Sequence, residues 1–89
     1  MTQWKISSSS GFDKSVSKLD PQEIRRLKRF LERLQILENP RVVGKSLTGN
    51  LGDVWRYRVG DYRLLVTLDD AESTIVALAY AHRSRVYLR

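Results

Sequence analysis

Arginines recur in one short stretch of this chain in a pattern that suits phosphate binding. Residues 54–68 contain two alternating, apolar-rich runs joined by a two-residue turn at 60–61, and a turn of this kind sets the pairing of a β-hairpin. The predicted register places Arg58 directly opposite Arg63, with Arg56 on the same face. Like charges in that position destabilise a sheet, whereas opposite charges would contribute roughly 0.2–1 kcal/mol. The pattern therefore indicates a ligand of negative charge.

The charge balance of the whole chain favours the same kind of ligand. Sixteen Lys and Arg residues against ten Asp and Glu residues give a net charge of +6 in 89 residues. Such an excess in a small protein is typical of polyanion binding, most often of nucleic acid. An acidic protein partner and simple solubility are the alternative interpretations.

Length, cysteine content and apolar runs exclude several classes of protein. The chain is short enough for a single domain, 1–89, with one hydrophobic core. It has no cysteine, which excludes disulfides and thiolate metal sites, and we expect neither a metal nor a cofactor. No apolar run approaches the ~20 residues that cross a bilayer, and residues 1–6 lack the apolar core of a signal peptide. We expect a soluble cytoplasmic protein that does not bind membranes.

Two helices are predicted before the hairpin. Residues 4–7 suit a first strand, and apolar residues at helical spacing predict a short helix over 12–19. A second helix is predicted over 20–38, because Asp20 is followed by proline and then by Glu23, the pattern of a capping box. The Asn-Pro pair that follows stops this helix, since the residue before a proline avoids the α conformation. The two helices are expected to form a hairpin.

The order of elements predicts the fold class. Residues 41–53 contain three glycines and little periodicity, which predicts a loop from which Lys45 reaches the sheet. The run 74–81 is apolar on both faces, so an interior strand is expected there. An α+β domain follows, with two helices on one face of a mostly antiparallel four-stranded sheet (β-α-α-β-β-β). Alternation puts the three hairpin arginines on the other face and turns toward the helices Trp55, Tyr57, Val59, Tyr62, Leu64 and Val66.

Two segments resemble a known family. Residues 60–63 (GDYR) stand at the hairpin turn, and residues 82–87 (HRSRVY) follow the last predicted strand. Together with an element order that matches over the whole chain, these segments resemble the RelE/ParE superfamily of toxins from type II toxin–antitoxin systems, in particular its RelE-like branch.

The resemblance implies a mechanism and residues for it. RelE-like toxins enter the ribosomal A site and cut messenger RNA without a metal, through attack of the ribose 2′-hydroxyl that leaves a 2′,3′-cyclic phosphate. This chain would then be a ribosome-dependent endoribonuclease that needs no cofactor, contacts mRNA and ribosomal RNA, and is neutralised by a cognate antitoxin protein. The implied catalytic residues are Arg56, Arg58, Arg63, Arg83 and Tyr87, and the implied RNA-binding residues are Lys45, His82 and Arg85.

The general base of such a reaction stays open. Arg56 and Arg58 stand where RelE itself has lysines, and because arginine remains protonated, these residues suit charge stabilisation rather than proton transfer. Histidine is the residue type suited to proton transfer near neutral pH. On a continuing strand, however, His82 would face away from Arg83, and a surface or hydrogen-bonded structural role is the alternative for it.

Other interpretations also stay open. Members of the ParE branch act on DNA gyrase and lack the ribonuclease residues, and a non-catalytic basic module would only bind RNA or protein. Arg83 and Arg85 also suit binding of an acidic antitoxin segment, and Tyr87 also suits closing the core. Because the sequence ends two residues after Tyr87, no C-terminal helix is expected. Trp4 and Trp55 are expected to pack rather than to stack on bases.

Overall fold

Five strands and three α-helices form the parts of the chain that the computed structural model describes, residues 3–47 and 54–86. In chain order the elements are β1 (Lys5–Ser8), α1 (Ser10–Ser17), α2 (Pro21–Gln35), a 3₁₀ turn (Pro40–Val42), β2 (Lys45–Ser46), β3 (Val54–Val59), β4 (Tyr62–Asp69), β5 (Thr74–His82) and α3 (Arg83–Val86).

Side-chain caps begin both long helices. The Ser9 hydroxyl accepts the N–H of Phe12 at 3.1 Å, and α1 therefore begins two residues earlier than predicted. Asp20 Oδ1 accepts the N–H of Glu23 at 3.0 Å, which confirms the predicted cap of α2. The predicted return half of the capping box is wrong, because the Glu23 carboxylate instead accepts a hydrogen bond of 2.7 Å from the hydroxyl of Tyr80.

The second helix ends at Gln35, short of the predicted end at Glu38. Its last turn tightens where the Leu37 N–H donates to the Leu34 carbonyl at 3.1 Å, the short-range pattern of a 3₁₀ turn. The Asn39 side chain then accepts the N–H of the residue after the proline at 3.0 Å and starts the separate 3₁₀ turn. The helix does not continue past the Asn-Pro pair, as predicted, but it ends before the pair is reached.

The strands form one sheet in the order β1-β5-β4-β3-β2. β1 pairs parallel with β5, and all other neighbours are antiparallel. This confirms the α+β class and the mostly antiparallel sheet, with β5 inside the sheet as predicted. The predicted hairpin register is also confirmed, since Arg58 pairs with Arg63 and Val59 with Tyr62.

The sheet has five strands rather than the predicted four. Lys45 and Ser46 pair with Arg56 and Trp55, within a region predicted to be a loop. Gly44 permits this pairing, because its φ of +78° turns the chain and a Cβ there would lie 2.6 Å from the carbonyl oxygen of Arg56. The rest of the predicted loop, 48–53, lies outside the described residues.

The core lies between the helices and the hairpin. On the hairpin's helix-facing side, Tyr57 is 1% exposed and Leu64 and Val66 are fully buried, as alternation predicts. The predicted packing of both tryptophans is also confirmed. Trp4 lies within the core, and its indole N–H donates to the Glu38 carbonyl at 3.2 Å. Trp55 lies at the edge of the core, and its indole N–H donates to the Val43 carbonyl at 2.7 Å.

A short helix that was not predicted from the sequence follows β5. The Arg83 N–H donates to the Asp61 carbonyl at 2.8 Å, and the Ser84 N–H donates to His82 Nδ1 at 3.2 Å. These bonds turn the chain out of the sheet directly after His82. Tyr87 lies outside the described residues.

Candidate functional site

Four cations line one cavity beside β3. Lys45, Arg56, Arg58 and Arg63 form part of its wall, together with Phe30, Val43, Gly44 and Tyr57, and the volume is about 360 Å³. We call this the arginine cavity. None of its lining residues within 3–47 and 54–86 is an Asp or a Glu.

The four cations form two directly opposed pairs. Lys45 pairs with Arg56 across β2 and β3, and Arg58 pairs with Arg63 across β3 and β4. The Arg58–Arg63 pair places like charges at directly opposed positions of a sheet, which is unfavourable for folding. The summed positive charge of the lining favours an anion in this cavity.

Arg63 is held much more rigidly than the sequence suggested. Its side chain was expected on a face turned to solvent or ligand, but the residue is only 8% exposed. The reason is that Nη1 donates to the carbonyl oxygens of Tyr62 at 2.9 Å and of Gly60 at 3.2 Å. Because a guanidinium carries five N–H donors, these two bonds fix the group and leave other donors for a ligand. Arg58, across the strand pair, is exposed.

Tyr57 forms the buried wall of the arginine cavity. Its hydroxyl donates to the Pro40 carbonyl at 2.8 Å, and its ring lies 5.4 Å from that of Phe30. Burial raises the pKa of Tyr57 to about 12, partly opposed by the positive charge of Arg41. The phenol is therefore neutral near pH 7 and acts as a rigid wall.

Residues 82–86 of the terminal segment do not belong to the lining of the arginine cavity. His82 faces the helix side, where its ring lies 5.5 Å from that of Tyr62, and Ser84 engages its Nδ1. His82 and Arg85 line a second cleft, described below. Arg83 is exposed at the start of α3, and its backbone bond to Asp61 places it beside the hairpin turn. His82 is thus a hydrogen-bonded residue on the opposite face from Arg63.

The second cleft has a volume of about 630 Å³ and lies where α1, the end of the sheet and α3 meet. We call it the terminal cleft. Burial, together with the hydrogen bond to Glu23, raises the pKa of Tyr80 at its base well above that of an ordinary tyrosine. The lining of the terminal cleft consists of Lys14, Ser15, Lys18, Leu19, Tyr62, Tyr80, Ala81, His82, Ser84 and Arg85.

Several residues at these sites were not predicted as functional. Phe30 and Gly44 shape the arginine cavity, and Lys14 and Lys18 line the terminal cleft. Lys14 in α1 and Lys18 at its C-cap stand four residues apart, a spacing that points both to the same side of the helix. That spacing was the available signal, but which element lies beside that face depends on tertiary packing.

Residues 3–47 and 54–86 contain neither a cluster of metal ligands nor a membrane-spanning helix. No cluster of three or more His, Cys, Asp or Glu side chains there is arranged to hold a metal ion. None of the helices in those segments combines the length and apolarity required to span a membrane.

Comparison with known proteins identifies the family. A family model described as the ParE toxin of the type II toxin–antitoxin system parDE matches residues 11–87. The chain therefore belongs to this family of toxins, within the RelE/ParE superfamily that its motifs resemble.

Individual proteins that are similar to this chain carry Rel names. Toxin RelG of Mycobacterium tuberculosis is 42% identical over 50 residues, which are 56% of this chain and 58% of that protein. The toxin–antitoxin complex RelBE2 of the same organism contains a chain that is 29% identical, with a TM-score of 0.83 and coverage of 94% of this chain and 95% of that one.

Two further solved structures share the fold. The RelE–RelB complex of Pyrococcus horikoshii gives 25% identity and a TM-score of 0.72 over 96% of this chain and 99% of its own. The isolated RelE toxin of E. coli gives 24% identity and a TM-score of 0.73, with coverage of 94% and 90%, and supports the fold alone. These structures share the fold of this member of the toxin family.

Proposed function

We propose that this toxin is a ribosome-dependent endoribonuclease that cuts messenger RNA in the ribosomal A site. One observation carries the proposal: Arg58 and Arg63 lie directly opposite each other on β3 and β4, and both line the arginine cavity. Like charges at such positions are unfavourable for the sheet, and a bound phosphate would offset their repulsion.

The reaction is a transfer at phosphorus within the RNA strand. The ribose 2′-oxygen forms a bond to the adjacent phosphorus as the bond to the 5′-oxygen breaks, which leaves a 2′,3′-cyclic phosphate and a free 5′-hydroxyl. A base removes the 2′ proton and an acid protonates the departing oxygen. Negative charge grows on the non-bridging oxygens in the transition state, and fixed guanidinium groups stabilise that charge.

The residues fall into separate roles. Arg63 is the fixed donor, because backbone carbonyls hold its Nη1, and exposed Arg58 closes on the phosphate from the facing strand. Arg56 and Lys45 extend the positive wall along the strand direction. Arg83 and Tyr87 complete the proposed catalytic set, and Arg85 and His82 are proposed to bind RNA. The general base is not assigned.

The same charges suit a cognate antitoxin. Matching folds occur in complexes described as RelBE2 and RelE–RelB, in which a toxin is bound to its antitoxin. An acidic antitoxin segment that covers Arg58 and Arg63 would occupy the phosphate site and block the reaction. We propose this mode of neutralisation, in the cytoplasm where ribosomes are found.

The test is to map the 5′ ends of messages on translating ribosomes after adding the purified toxin. Arg58→Ala and Arg63→Ala are each expected to slow cleavage by about 10²-fold, the usual cost of removing one transition-state donor. Arg25→Ala is the matched control, because Arg25 is exposed on α2 and belongs to the lining of neither the arginine cavity nor the terminal cleft. Exposed Arg58 allows the test even if loss of Arg63 lowers stability. Uncut messages with the unaltered toxin would overturn the proposal.

A second function has one observation in its favour, which is the ParE description of the matching family model. ParE-type toxins act on DNA gyrase. A supercoiling assay with the same purified protein separates the two functions, since a gyrase inhibitor would stop supercoiling and leave messages intact.

A further inference from the structure

The terminal cleft combines positive charge with an aromatic wall on the helix-covered side of the sheet. Lys14 of α1, Lys18 at the C-cap of this helix and Arg85 of α3 line it, and all three are exposed. None of its lining residues within 3–47 and 54–86 is an Asp or a Glu, and none of these three side chains makes an ion pair with a residue of those segments. The local field therefore favours an anionic ligand.

The wall of the terminal cleft is made of rings. Tyr62 stacks on buried Tyr80, with ring centres 5.0 Å apart and an angle of 15° between the planes, and the ring of His82 meets Tyr62 edge-on. Tyr62 and His82 are half-buried, so both rings are partly accessible from the cleft. The Tyr62 hydroxyl makes no hydrogen bond within the described residues, and it is available to a ligand.

Cations beside accessible rings form the combination that binds single-stranded RNA, because phosphates pair with the cations and bases stack on the rings. An acidic protein segment would satisfy the charges but would need aliphatic contacts, and the lining offers only Leu19 and Ala81 for that purpose. The chemistry of the cleft therefore favours a nucleotide over a peptide.

We infer that the terminal cleft binds a nucleotide of the substrate RNA, with its base on Tyr62 and His82 and its phosphate on Lys14, Lys18 and Arg85. The identity of the strand rests on the proposed ribonuclease function. Tyr62 and Arg63 are neighbours on β4 that face opposite sides of the sheet, so a strand whose scissile phosphate lies at Arg63 can pass around this end of the sheet into the cleft.

Binding of a short fluorescein-labelled 2′-O-methyl RNA to the full-length toxin tests the inference, because this probe cannot be cleaved. The variant is Lys14→Ala with Lys18→Ala, and the matched control is Lys5→Ala with Lys28→Ala. The control loses the same charge from exposed positions outside both cavities. Loss of two phosphate contacts should weaken binding about tenfold at low salt and lower the slope of log affinity against log salt by about 1.4. The control should change both much less.

The other outcomes of the binding assay overturn the inference. If the unaltered toxin does not bind the probe, or if the variant and the control bind it equally, the cleft is not an RNA site. If the variant keeps its RNA affinity but loses affinity for oligoglutamate, the cleft binds an acidic protein segment. Failure of message cleavage with intact probe binding would instead remove the proposed function and leave the cleft as an RNA-binding site.

Discussion

The two faces of the β3–β4 hairpin come from the same residues in alternation, yet they have opposite energetic characters. The helix-facing side, with Tyr57, Leu64 and Val66, is almost completely buried and stabilises the fold. The other side places Arg58 directly against Arg63, a pair of like charges that costs stability. The contrast indicates that the first face is built for folding and the second for a ligand.

Truncation of the buried face should give the largest loss of stability. Leu64→Ala removes a fully buried side chain from the centre of the core, so we expect the free energy of unfolding to fall by about 2–5 kcal/mol. Urea unfolding followed by circular dichroism measures this loss. Leu65→Ala, at the adjacent half-buried position, should cost clearly less. Equal losses at the two positions would show that the faces do not differ as described.

Alkaline pH should lower the free energy of unfolding through Tyr57, which lies on the same buried face. The pKa of Tyr57 is about 12 in the folded protein because of burial, against an ordinary value of 10.0 in the unfolded chain. Between pH 10 and pH 12 the unfolded state binds fewer protons than the folded state. The stability that the protonated Tyr57 hydroxyl contributes is therefore complete below pH 10 and is lost as pH rises toward 12. The loss is at most about 3 kcal/mol.

Tyr57→Phe tests this pH dependence. The variant lacks the ionisable hydroxyl, so its free energy of unfolding should fall less steeply between pH 10 and pH 12, although it is lower at pH 8 through loss of the bond to Pro40. Some slope should remain, because the pKa of buried Tyr80 is also raised. Identical slopes for the two proteins, in urea unfolding at each pH, would contradict the assigned burial effect.

Relief of the repulsion on the cationic face should give the smallest change, and of opposite sign. Arg58→Leu removes one member of the Arg58–Arg63 pair and should raise the free energy of unfolding by roughly 0.2–1 kcal/mol while it lowers message cleavage. Arg25→Leu loses the same charge from the exposed side of α2 and serves as the control. A variant at Arg58 that is less stable than the control would show that the pair does not oppose folding.

Local patterns predicted the features of this fold that local geometry decides. The two-residue turn at 60–61 set the Arg58–Arg63 pairing, and Asp20 before proline set the start of α2. The parallel pairing of β1 with β5 could not be predicted this way, since the partners are far apart in sequence. The two-residue strand at Lys45 is too short to give a periodic signal.

The residue types of the candidate site could be predicted better than the contacts that hold these residues in place. Alternation put the arginines on one face, but it gave no sign that carbonyls of the turn would hold Arg63 and bury it. It also missed the turn of the chain after His82, because that turn depends on a backbone bond between Arg83 and the distant Asp61. Contacts between separate elements decide these features.

Cleavage of a ribosome-bound message with a single 2′-deoxy substitution tests the central claim most directly. The substitution is placed at the nucleotide whose 2′-oxygen attacks, as located on the unmodified message. If the arginine cavity stabilises attack by that oxygen, the deoxy message should remain uncut at this position, and the unmodified message should end in a 2′,3′-cyclic phosphate. Cleavage of both messages at the same rate would contradict the account.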